Sequence, residues 1–289
     1  MGTELTTSLR STPEGKALIG LYGFTVVAIL GYGVFALNPG RIPDFPALFA
    51  FYSISFNFFA QTHIWLCLLV LAIALVRHIG WSWLPALAVV YVLSFTSEHV
   101  GTGYGIPFGG YSYTELLGPR VGPRVPLVIP LSWFLMALPS YLLASATFPA
   151  PGRRLLRIIF ASTLLVMWDL ALDPAMSYLT PYWRWDDTGP YYGMPWLNLA
   201  GWFVTGLVIT TAIDRMGGIG WAPRLSVRWM LFYYLAVVLM PLGMMMMAGL
   251  WLGVGVTLAA LALAWGLHVL IQGNPRAAAG KLARAGEGA

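Results

Sequence analysis

Two carboxylates stand four residues apart in LLVMWDLALDP, residues 164–174: Asp169 and Asp173. On a helix that spacing puts both side chains on one face. Asp169 lies inside an apolar run, where an ionisable group is costly and therefore points to function. Asp173 precedes Pro174 and has a plainer alternative, the end of a helix. A third carboxylate, Glu98, closes the run WSWLPALAVVYVLSFTS. It is either a polar residue at a helix end or an acid enclosed by apolar neighbours. A carboxylic acid in an apolar site can keep its proton near neutrality, which suits it to protonating a substrate.

Aromatic residues follow these acids. EHVGTGYGIPFGGYSYTE, residues 98–115, supplies Phe108, Tyr111 and Tyr113, and YLTPYWRWDDTGPYYGMPWLN, residues 178–198, supplies Trp185, Tyr191 and Tyr192. They form either an interfacial aromatic belt or the wall of an apolar site whose ring faces stabilise positive charge. Asn57, Gln61 and His63 interrupt a further apolar run. Such residues contribute to a site or only bond one helix to another.

The elements that must hold these groups are membrane spans. Of 289 residues 58% are hydrophobic and 9% charged, with mean hydropathy +0.74, whereas a soluble domain carries about 25% charged residues. Runs near the ~20 residues needed to cross a bilayer fall at 17–37, 50–76, 82–97, 126–148, 155–172, 194–213, 229–247 and 249–271. No Asp, Glu, Lys or Arg occurs between Arg228 and Arg276. That stretch is roughly twice a bilayer's depth at 1.5 Å per residue, so it must turn back, near PLGMMMMAG. The expectation is a single all-α polytopic domain of eight spans, seven being the alternative. Residues 1–16 and 272–289 are expected to be flexible tails, and 98–125 and 173–195 irregular segments on the outer side.

Basic residues set the orientation. Only Arg41, Arg120, Arg124 and Arg184 fall in one set of alternating connections, and the other twelve of the 16 Lys and Arg residues fall in the other set, with the N-terminus. The positive-inside rule then places both termini in the cytoplasm and brings Glu98, Asp169 and Asp173 toward the outer face. The basic balance is accounted for by this bias, not by nucleic acid. The start of the chain reads as a cytoplasmic segment without a cleavage site, not a removed signal peptide. Cys67 is the single cysteine and excludes a disulfide framework.

Several chemistries lack their residues. His63, His78, His99 and His268 form no ligand cluster of the kind a membrane iron oxygenase needs. Lys16 and Lys281, the only lysines, are too near the termini for a retinal Schiff base. GTGYG has no strand–helix unit around it, and no P-loop occurs. Metal-free acid–base chemistry on an apolar substrate, or a non-enzymatic membrane role, remains.

The stretch from Glu98 through TGYGIPFGGYSYTELLGPRVGPRVPLVIPLSWFLMALPSY, together with MWDLALDPAM and WDDTGPYYGMPWLNLAGWFVTG, resembles the carotenoid 1,2-hydratase and bisanhydrobacterioruberin hydratase family of carotenoid biosynthesis. The resemblance covers roughly residues 50–215. The family pattern is matched by Glu98, Thr102, Gly103, Pro107, Phe108, Gly109, Tyr111 and Tyr113, by Asp169, Asp173 and Pro174, and by residues 189–195. It implies addition of water to the terminal C=C of an acyclic carotenoid, giving a tertiary alcohol, without cofactor or metal, in a prokaryotic cytoplasmic membrane. The partners would be a long polyene, water and membrane lipid, and no nucleic acid.

That activity suits the acids. Alkene hydration begins by protonating the less substituted carbon, and the resulting tertiary cation is stabilised by carboxylate and aromatic faces. Asp169 is expected to be the acid, assisted by Asp173 or Glu98, with the other positioning water. Phe108, Tyr111, Tyr113, Trp185, Tyr191, Tyr192, Asn57 and His63 are expected to line the pocket. An isoprenoid cyclase would use the same acid but exclude water, and a transporter or binding protein would form no product.

Overall fold

The computed structural model describes residues 11–273, so the expected C-terminal tail beyond Gly273 and residues 1–10 lie outside it. Eight long helices form the bundle: α1 Pro13–Gly31, α2 Pro46–Ile79, α3 Leu84–Tyr104, α4 Val128–Thr147, α5 Arg154–Asp173, α6 Trp196–Arg215, α7 Val227–Met247 and α8 Trp251–Gln272. Each is long and apolar enough to cross a membrane. The uncharged stretch after Arg228 does turn back, at Ala248–Leu250, with Gly249 at φ +74°, a conformation glycine adopts without cost.

α4 is the centre. Sixteen of its side chains are buried, Trp133, Phe134, Tyr141 and Leu138 among them, and it packs on α3, α5, α6 and α7. α8 lies at the periphery and exposes Leu252, Leu263 and Leu270. Small residues bring α5 and α6 together: Gly206 faces Ser162, and the Ser162 and Thr210 hydroxyls lie 3.3 Å apart. This is a common way to join helices where no water drives them together.

Three boundaries differ from expectation. α1 begins at Pro13, inside the expected tail, because Thr12 caps it by accepting from the Gly15 N–H at 3.2 Å and Pro13 fits the first helical position. α3 continues to Tyr104 instead of breaking after Ser97, so Glu98 projects from a regular helix. Pro174 does not end the fifth span; the chain continues as a π-helix, Pro174–Leu179.

Polar contacts sort the helix ends into two levels. At the arginine-rich end, Arg77 Nε of α2 meets Glu14 of α1 at 2.8 Å, and Trp229 of α7 donates to the Glu14 carbonyl. Arg154 and Arg157 of α5 hold Asp214 of α6, and Gln272 of α8 donates to the Ala146 and Thr147 carbonyls of α4. At the opposite end, short strands close the bundle: β1 Tyr111–Tyr113, β2 Arg120–Val121, β3 Val125–Pro126 and β4 Trp183–Trp185. β2 and β3 form a hairpin, while β1 pairs antiparallel with the distant β4, Tyr111 opposite Trp185 and Tyr113 opposite Trp183.

Candidate active site

The β1–β4 ribbon joins the two irregular segments. Side chains alternate along a strand, so Ser112 and Arg184 face outward and are exposed, while Tyr111, Tyr113, Trp183 and Trp185 share the inner face. Each strand serves one carboxylate. Tyr111 and Tyr113 both donate to Glu98 Oε2, the latter at 2.7 Å, and Trp133 Nε1 of α4 donates to Oε1 at 2.8 Å. Trp185 Nε1 donates to Asp173 Oδ1 at 3.1 Å and Trp183 Nε1 to Oδ2 at 3.3 Å, with Ser177 Oγ at 2.7 Å from Oδ1. Burial first, and then the Glu98 carboxylate, hold the Tyr111 and Tyr113 phenols well above their usual range, so both remain donors.

Glu98, Asp169 and Asp173 are 4, 0 and 1% exposed. Glu98 and Asp173 line a cavity of about 490 Å³ with mostly apolar walls, a size usual for small-molecule sites. Around them stand Phe108, Trp133, Trp168 and Trp202. Trp133 and Trp202 stack at 4.2 Å between ring centroids, and Trp168 meets Trp202 edge-on at 5.5 Å. Phe108 is fixed between two glycines: a Cβ on Gly101 of α3 would come within 2.8 Å of its ring, and one on Gly201 of α6 within 2.7 Å. The glycines of GTGYG and LAGW therefore let two helices close on this ring.

Away from the carboxylates the cavity runs between α1, α2 and α7, past His63, Cys67, Met240 and Met244. Its wall includes Val27, Phe35, Leu48 and Phe51, which are themselves exposed, so it opens through the side of the bundle where α1 ends and α2 begins. Among the described residues no three His, Cys, Asp or Glu side chains come together as metal ligands would.

Several residues expected in the pocket lie elsewhere. Asp169 is absent from the cavity wall; one turn before Asp173, it faces α6, where Asn198 Nδ2 donates to its Oδ2 at 2.7 Å. Its Oδ1 is buried with no partner among the described residues. Asn57 bonds the Leu116 carbonyl and receives Gln61 Nε2, tying α2 to the 115–117 turn. Tyr191 donates to the Leu170 carbonyl, and Tyr192 accepts from the Gly253 N–H, so both pin the segment 189–195 to helices instead of lining the cavity. His63 does line it, with Nε2 3.2 Å from the Thr25 hydroxyl.

Sequence reasoning missed Trp133, Trp168, Trp202 and Asn198, and took Trp183 only as one of the aromatic residues of segment 178–198. For Trp183 a signal existed: YSY and WRW each alternate aromatic and polar residues, the period of a strand with one buried face. The others lie in helices whose inward face only packing selects.

A family model described as "Carotenoid biosynthesis protein" matches residues 59–264. Among curated proteins, a bisanhydrobacterioruberin hydratase of Haloarcula japonica is 31% identical over 133 residues, 45% of this chain and 44% of that relative's length. No solved structure matches. The match holds both segments of the ribbon and all three carboxylates, and the chain belongs to the carotenoid biosynthesis protein family.

Proposed function

We propose that the chain is a hydratase that adds water across the terminal C=C of an acyclic carotenoid. The observation that carries this reading is the pairing of two buried carboxylates, Glu98 and Asp173, on the wall of one aromatic-lined apolar cavity. A polyene end group matches such walls, and the side opening gives the rest of the chain a path into lipid.

The chemistry divides between the two carboxyl groups. Each receives three hydrogen bonds, which fixes its orientation. Asp169 and Asp173, one turn apart in a dry site, are unfavourable as two charges, and Asp169 receives a single donor from Asn198. The pair therefore holds one proton, which reaches the substrate from Asp173, the member on the wall. The π electrons form the new C–H bond at the less substituted carbon. The tertiary cation left behind is stabilised by the faces of Trp133, Trp168 and Trp202 and by the Glu98 carboxylate. A water oxygen then forms the C–O bond and passes its proton to Glu98. Return of that proton to the aspartate pair completes the cycle, so the product differs from substrate by one water.

Incubating purified protein in lipid with an acyclic carotenoid, followed by mass analysis, tests this. A product heavier by one water is expected. A product of unchanged mass but altered retention would instead establish a cyclase, and no product would leave a binding or transport role. The relative from Haloarcula japonica bears the name of a hydratase, which supports the first outcome.

A further inference from the structure

Capturing a cation with water, in a cavity built to exclude it, requires a place where one water is held. The donors that surround Glu98 and Asp173 are already engaged: the hydroxyls of Tyr111, Tyr113 and Ser177 and the indole N–H groups of Trp133, Trp183 and Trp185 all donate to these two carboxylates. Asn198 is different. It sits in the first turn of α6, its backbone N–H bonded to the Pro195 carbonyl at 3.0 Å, and its side chain is on the cavity wall although only 2% exposed. Its Nδ2 contacts two acceptors, Asp169 Oδ2 at 2.7 Å and Met194 Sδ at 3.0 Å. An amide has two N–H donors, and these two neighbours use both. Acceptors on that side fix which way the amide points and turn its Oδ1 away from them, on a residue that lines the cavity.

We propose that Asn198 holds the attacking water through Oδ1. This deepens the hydratase reading and rests on it. The water donates one O–H to the amide oxygen and the other toward Glu98, and its lone pair faces the cation. As its oxygen forms the C–O bond, the O–H bond directed at Glu98 breaks and the carboxylate takes the proton. Asp169, off the wall, acts on this step by fixing the amide that holds the water.

The test is a partition ratio. In D2O the acid delivers a deuteron to the alkene. The cation then either captures water or loses a proton from an adjacent carbon, regenerating a deuterated alkene. With wild-type protein the water adduct should predominate. Asn198→Leu keeps the approximate size but removes the acceptor, and the ratio of adduct to deuterated alkene should fall at least tenfold. Asn198→Ser restores an acceptor with room for a bridging water and should recover most of the ratio. Because both products arise from the same cation, the ratio does not depend on how much of a variant folds. An unchanged ratio in Asn198→Leu, or no recovery in Asn198→Ser, would overturn the assignment. Wild-type protein that yields neither adduct nor deuterated alkene would overturn the hydratase reading itself, a result distinct from either.

Discussion

Among the individual residues, the hydrogen bonds distinguish three carboxyl groups that look alike in sequence. Glu98 and Asp173 are each gripped by three donors on a cavity wall, and Asp169 by one donor behind it. Loss of general acid–base catalysis usually costs about 10²–10⁴ in rate. Glu98→Gln and Asp173→Asn are therefore expected to lower kcat at least ~100-fold in protein that remains folded. Asp169→Asn should fall less than Asp173→Asn; the reverse ranking in single-turnover assays would move the acid to Asp169. Tyr113→Phe removes one of the donors to Glu98. A hydrogen bond to a charged group contributes about 1.5–3 kcal/mol to stability, so a lower unfolding temperature is expected together with reduced turnover, and a variant with both unchanged would show that this bond does not hold Glu98.

For the elements, the β1–β4 ribbon is the smallest unit that makes a site. Three residues from each strand turn two loops into one wall and supply four of the six donors to the carboxylates. Ser112→Ala, on the outer face, should be silent. Ser112→Pro removes a strand N–H and should disturb pairing, costing activity through both carboxylates at once; equal activity for the two variants would show that the ribbon is dispensable. The helices contribute by approaching closely. Gly201→Val would drive a side chain into Phe108 and the Pro107 carbonyl. Overpacking of this kind costs about 1–3 kcal/mol, visible as a lower unfolding temperature together with lost turnover.

Viewed as a whole, the molecule separates stability from chemistry along its length. At the arginine-rich end Arg157, 3% exposed, bonds Asp214, the Tyr141 hydroxyl and the Phe148 carbonyl. Breaking a buried pair by removing one partner costs about 3–5 kcal/mol. Arg157→Leu should therefore lower the unfolding temperature in detergent while leaving the product unchanged; a new product would connect this end to the site. The same arginines predict that a reporter fused after Gln272 is active only in the cytoplasm, and an active periplasmic reporter there would reverse the orientation.

Class and spans are legible in the order of the amino acids alone. Hydrophobic runs are local and long, and a bilayer fixes their length, so all eight helices could be read, although α3 runs on to Tyr104, past the expected end at 97. The carboxylates were legible too, because a charge inside an apolar run is conspicuous. The family resemblance came from the motifs that hold them. Which carboxylate faces the cavity was decided only by the tertiary structure. Asp169 and Asp173 share a helix face, yet α6 covers one with Asn198 and leaves the other on the wall. Tyr191, Tyr192 and Asn57 looked like pocket residues because aromatic and amide groups suit either a wall or a clasp, and only the partner decides between them. The pairing of YSY with WRW joins residues about seventy positions apart in sequence. No local preference encodes that contact; it exists because the packing of α3, α5 and α6 around α4 brings the two strands together.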